Sequence, residues 1–195
     1  MGTVFDDIDP KLATWLEEQP VVFVATAPSE GGHLNLSPKG GAGTFRVLAP
    51  DRVAYVDLFG SGAETAAHLR DDGRIVVMAC AFDGRPRIVR LHGSGRLVTP
   101  GHADHDALRA RFDLSEEQQR AARGIIEVTV TRVADSCGYV VPEMTLVGER
   151  SQLYRAAEHR IGKDGPDAIA RTVAERNDVS IDGLPAYPPP VAPTG

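Results

Sequence analysis

The sequence predicts a mainly β, α+β domain: six or so antiparallel strands forming a small closed or partly closed barrel, with peripheral helices. Three observations predict it. Short β-branched runs recur between tight turns, as in "VVFVATAPS", "EGG" and "HLNLSPK". A single helical stretch, "ETAAHL", interrupts the first strands. The longer helical patterns lie at the two ends of the chain. At 195 residues, 42% hydrophobic and 25% charged, the chain has the length and composition of one domain with a full core.

Residues 6–19 read as a helix: Asp9 caps it, Pro10 suits its first turn, and Leu12, Trp15 and Leu16 make one apolar face. Residues 21–29 and "HLNLSPK" (33–39) pair as a hairpin, and "TFRVL" and "RVAYVDL" (52–58) follow as strands. Glu64 to Leu69 then turn off as a helix that Gly73 closes. "RIVVMACAF" (74–82) is apolar throughout, which predicts burial on both faces. Residues 87–98 alternate along a strand, 102–112 form a short helix, and 124–139 form a long strand with Glu127, Thr129 and Thr131 outward. Two exposed helices follow, in "GERSQLYRAAEHRIG" and "PDAIARTVAERND". The domain thus runs over 1–183, and the Pro-rich residues 184–195 read as a flexible tail.

The formal net charge of -6 argues against a general nucleic-acid or anionic-membrane surface. Cys80 and Cys137 are far apart and lack metal-ligand spacing, so they read as reduced thiols. The N-terminal stretch has no basic and apolar signal-peptide pattern, and no apolar run approaches the roughly 20 residues of a membrane span. A cytoplasmic protein is expected. No zinc motif, Walker loop or G-x-S-x-G elbow is present.

Three stretches carry candidate chemistry. "LNLSPKG" sets Lys39 at the end of a half-buried strand, as an anion ligand or as a solvated charge. "FGSGAET" places Ser61 and Gly62 before a helix whose first turn holds Thr65; this is either a phosphate cradle or a tight turn with a cap. Arg87 and Arg90, three apart on one strand, face opposite sides, so one of them can share a given pocket. In "DSCGYVVPEM", Gly138 and Pro142 bend the chain off the sheet. That bend either carries Cys137, Tyr139 and Met144 across a neighbouring pocket or forms a buried plug.

The order "NLSPKG", "VAYVDLFGSGAETAAHLRDDGRIVVM", "RPRIVRLHGSGRLV" resembles the pyridoxamine 5'-phosphate oxidase-like family of FMN-binding split barrels over about residues 20–135. The resemblance implies a six-stranded antiparallel split barrel, a homodimer with the cofactor at its interface, and a flavin-dependent reaction on a small molecule. By position it implicates Ser37, Lys39, Asp57, Leu58, Ser61, Gly62 and Thr65, with Arg87 or its neighbour from the long strand, in holding FMN. Cys137 and Tyr139 would stand toward substrate. Oxidases of the vitamin carry an Arg-Lys pair where this chain has "GSGAET", and an Arg-rich end where it has "IDGLPAYPPPVAPTG". A substrate other than pyridoxamine phosphate is implied. Proteins of this fold also bind deazaflavin or haem, so a deazaflavin-dependent reductase and a non-catalytic flavin or haem carrier are the rival readings.

Overall fold

The computed structural model describes residues 2–188. Its strands are β1 (Val4–Phe5), β2 (Val21–Thr26), β3 (Asn35–Gly40), β4 (Phe45–Ala49), β5 (Arg52–Leu58), β6 (Arg74–Cys80), β7 (Ile88–Val98) and β8 (Ala122–Ser136). Its helices are α1 (Pro10–Glu17), α2 (Glu64–Asp71), α3 (His105–Arg109), α4 (Glu116–Ala121), α5 (Gln152–Asp164) and α6 (Ala168–Arg176). Every ladder is antiparallel, in the order β3-β2-β6-β7-β8-β5-β4, with β1 added on β8.

The sheet curls until its two ends nearly meet. Lys39, on the edge strand β3, reaches Asp57 on β5 across the gap. Residues 41–44 join β3 to β4, yet no ladder pairs those two edges, so the barrel is split. Helix α1 plugs the barrel. Asp9 accepts a hydrogen bond from the Leu12 amide at 2.7 Å, and Leu12 and Leu16 bury among Val22, Val53, Val77 and Leu91. A second apolar cluster joins α2, α5 and α6 through Ala66, Ala157, Ile169 and Val173.

Several expectations are corrected. Among the described residues there are eight strands, against the six or so expected. The one with no counterpart among the strand stretches read from the sequence, β1, has two residues and too little sequence to show a pattern. Strand β6 alternates between buried and less buried positions, so only one face is in the core. Glu127 is buried, with its carboxylate paired to the half-exposed Arg96, 2.7 Å from Oε2 to Nε, and is not an outward residue. The helix expected over 102–112 is a single turn, and α4 was not expected at all. Residues 184–188 are not a free tail: Ala186 and Tyr187 are buried against the second cluster. The rest of that stretch, 189–195, lies outside the described residues. Among the described residues no helix is long and apolar enough to cross a membrane.

Candidate functional site

Strand β3 turns alternate side chains to opposite sides. Asn35, Ser37 and Lys39 face inward, while Leu36 and Pro38 face out. Proline fits here because an edge strand can spare an N–H. The inward row faces the turn that leads from β5 into α2. Together they bound a cavity of about 210 Å³, lined by Ser37, Lys39, Leu58, Gly62, Glu64 and Thr65 among others.

The floor of this cavity is a buried polar network centred on Asp57, which is 1% exposed. Lys39 Nζ lies 2.8 Å from Asp57 Oδ1, and Arg123 Nε lies 3.1 Å from Oδ2. The Tyr187 hydroxyl donates to the same Oδ2. A β-bulge delivers Arg123. Asp57 pairs with Gly124 and Leu58 with Ala122, so Arg123 is the unpaired residue between them, and the bulge turns its side chain inward. Burial alone would raise the Asp57 carboxyl, but the Lys39 and Arg123 charges outweigh it and hold the pKa below the ordinary value. Burial first, and then the Asp57 charge, push Tyr187 well up, so it stays a neutral donor.

Arg123 also fixes the turn. Its Nη1 donates to Gly60 O at 3.3 Å and to Asn177 Oδ1 at 3.0 Å, and its Nη2 donates to Gly62 O at 2.7 Å. Asn177 Nδ2 donates to Ser61 O at 3.2 Å. Three successive carbonyls are therefore held on the network side. Helix α2 begins directly after them, with no side-chain cap at Ala63. The Tyr187 ring supports the guanidinium from below, 4.7 Å from Cζ to the centroid.

A second chain of hydrogen bonds backs β3. Ser37 Oγ donates to Asn35 Oδ1 at 2.8 Å, and Asn35 Nδ2 donates to Thr65 Oγ1 at 2.9 Å and to Thr26 Oγ1 at 3.2 Å. Thr26 Oγ1 in turn meets His68 Nδ1 at 3.0 Å. Tyr55 Oη and His68 Nε2 are the buried side-chain atoms without a partner among the described residues. The Tyr55 ring lies beneath Lys39, 5.7 Å from Nζ to the centroid.

The structure therefore brings together Ser37, Lys39, Leu58, Gly62 and Thr65 at the cavity and Asp57 beneath it. Ser61 contributes its backbone carbonyl, with its side chain exposed. Arg87 is not part of this group. It sits at the other end of the sheet, 3.2 Å from Asp135 Oδ2 and against the Trp15 and Phe5 rings. Cys137 and Tyr139 belong to that same end, where Gly138 packs on the Arg87 backbone. Cys137 is exposed and Tyr139 is 80% exposed, so the buried-plug alternative fails for this chain.

The sequence profile of the pyridoxamine 5'-phosphate oxidase family matches residues 8–137. The curated relative ustO of Aspergillus flavus, described as a pyridoxamine 5'-phosphate oxidase family protein, is 34% identical over 198 residues, covering 95% of this chain and 78% of the relative. The chain belongs to the pyridoxamine 5'-phosphate oxidase family. Among solved structures, HupZ of Group A Streptococcus is 18% identical with a TM-score of 0.47, covering 65% of this chain and 91% of that one. A FAD-binding protein of Mesorhizobium loti is 11% identical with a TM-score of 0.47, covering 69% of this chain and 96% of that one. Asn177 and Tyr187, which complete the network under the cavity, lie beyond the residues that the family profile matches.

Sequence reading missed Arg123, Asn177, Asn35 and Tyr187. Arg123 depends on a bulge, and Asn177 and Tyr187 on how the C-terminal segment returns to the barrel; no local pattern reports either. Asn35 was within reach, because it shares the inward parity of Ser37 and Lys39.

Proposed function

We propose that this chain is a flavin-dependent oxidoreductase acting on a small organic molecule, with FMN held in the cavity between β3, the 60–62 turn and α2. The observation that carries the reading is the construction of that cavity: an inward polar row faces an uncapped helix start, and the carbonyls of the intervening turn are all tied back. Such a wall offers hydrogen-bond donors to a ligand and withholds acceptors at the turn. Family membership supports the same cofactor class.

Bound flavin would supply the hydride chemistry, leaving orientation and electrostatics to the protein. Ser37, Thr65 and the α2 start orient the ligand, and Leu58 gives it an apolar contact. Asp57 and Arg123 keep the turn fixed.

A cavity of about 210 Å³ is smaller than the roughly 300–1,000 Å³ of pockets that bury ligands of flavin size. The ring must extend past it, along a face that a second copy covers. Exposed Leu34 and Leu36 beside the cavity, and Val140 and Val147 on the segment after β8, are apolar surface of the kind a partner buries. The proposed assembly is a two-fold dimer burying at least the roughly 1,600 Å² of a standard interface. Light scattering at micromolar concentration tests it, and a monomer contradicts it.

The absorption spectrum of the purified protein, after addition of FMN and gel filtration, tests the cofactor. Bands near about 375 and about 450 nm that bleach on reduction support the proposal. A single band near about 420 nm would mean deazaflavin, and a sharp Soret band haem. A colourless protein after FMN addition contradicts it.

A further inference from the structure

The cavity has a balanced charge. Lys39 is paired with Asp57, and the Arg123 guanidinium is held by Asp57, Asn177 and the carbonyls of Gly60 and Gly62, with four of its five N–H groups engaged. The remaining charged group on the wall is Glu64, in the first turn of α2, and it makes no ion pair among the described residues. Two cations thus face two carboxylates. Glu64 also occupies the place where a helix start would otherwise favour an anionic ligand. A phosphate carries about -1.5 to -2 charges and would find no uncompensated cation here.

The hydrogen-bond polarity points the same way. The Ser37 hydroxyl hydrogen is committed to Asn35 Oδ1, so Ser37 offers the cavity lone pairs. Glu64 is an acceptor only. Thr65 Oγ1 already accepts from Asn35, and its hydroxyl also lies toward Tyr55. A phosphate dianion, itself acceptor-only, mismatches Ser37 and Glu64. A chain of hydroxyls, each donor and acceptor at once, matches both, and it can also accept from Lys39 and from the uncapped α2 start.

We infer that this cavity recognises the polyhydroxyl side chain of a flavin and not a phosphate, so that FMN and riboflavin bind with closely similar affinity. The inference rests on the flavin reading above. It is tested by titrating the full chain with FMN, riboflavin and lumiflavin, which lacks the hydroxyl chain, and following flavin fluorescence. The expected dissociation constants for FMN and riboflavin agree within about threefold, and lumiflavin binds at least about tenfold more weakly; one charged hydrogen bond to phosphate alone is worth about tenfold or more. FMN binding more than about tenfold tighter than riboflavin overturns the inference, as does lumiflavin binding equal to riboflavin. In Glu64→Gln, the preference for FMN over riboflavin should rise by about three- to tenfold as one negative charge leaves the wall. An unchanged ratio overturns the charge argument. If neither FMN nor riboflavin binds, the flavin reading itself fails and this inference falls with it.

Discussion

Asp57→Asn keeps the side-chain shape and removes the charge at the centre of the buried network. Lys39 and Arg123 then face each other across a neutral amide, and Arg123 is 8% exposed. Removing one member of a buried ion pair costs about 3–5 kcal/mol. The Lys39 side chain is 20% exposed and regains some water, so the lower end applies, about 3 kcal/mol. At about 2–4 °C per kcal/mol for a chain of this size, the melting temperature should fall by about 6–12 °C at neutral pH. Thermal and urea denaturation of the two proteins measure this. The pH dependence has a definite sign. The folded Asp57 pKa is depressed, so its stabilisation is complete above the ordinary unfolded value, near about 4, and is lost as pH falls through the folded value below that. The difference between wild type and variant should be largest near neutrality and shrink in acid. A loss under about 1 kcal/mol at pH 7, or a difference that does not shrink in acid, refutes the assignment of Asp57 as an ionised structural centre.

Three further outcomes follow from single contacts. Tyr187→Phe keeps the ring under Arg123 and deletes one hydrogen bond to a buried carboxylate, so the urea midpoint should report a loss of about 1.5–3 kcal/mol; a loss under about 0.5 would contradict the contact. In Gly93→Ala a Cβ would lie 2.0 Å from Thr129 O at the β7–β8 bulge, so denaturation should show a loss of about 1–3 kcal/mol or more, and unchanged stability would contradict that packing. Tyr139→Ala removes an exposed ring, so stability should change by no more than about 0.5 kcal/mol; a loss of about 3–5 kcal/mol, that of a buried aromatic, would contradict the exposed placement.

The barrel was legible because its strands are short, β-branched and separated by glycine-bearing turns. "RVAYVDL" shows this best: the expected and observed strands coincide at Arg52–Leu58. The α4 helix was legible in principle, since Ser115 and Gln118 form a capping box spaced as S-x-x-Q, a pattern left unread. At the site, parity along "NLSPK" pointed to Ser37 and Lys39 on one face. What the sequence hides is long-range return. Tyr187 meets Asp57 from far along the chain, out of a Pro-rich stretch whose composition resembles disorder. Burial against α2 and α6 overrides that composition. Arg87 lies apart from this group in the single chain for the converse reason: position along a strand gives the side it faces but not which end of a curled sheet it occupies.

The central claim is that a flavin sits against the inward row of β3. The most direct test compares flavin binding by wild type and Ser37→Leu, with circular dichroism confirming that both are folded. Leucine at this half-buried inward position fills part of a cavity of about 210 Å³ and replaces a hydroxyl with a branched apolar group. Wild type should bind one FMN per chain, and the variant should bind at least about tenfold more weakly. A folded Ser37→Leu variant that binds FMN as well as wild type, or a wild type that binds none, would contradict the account.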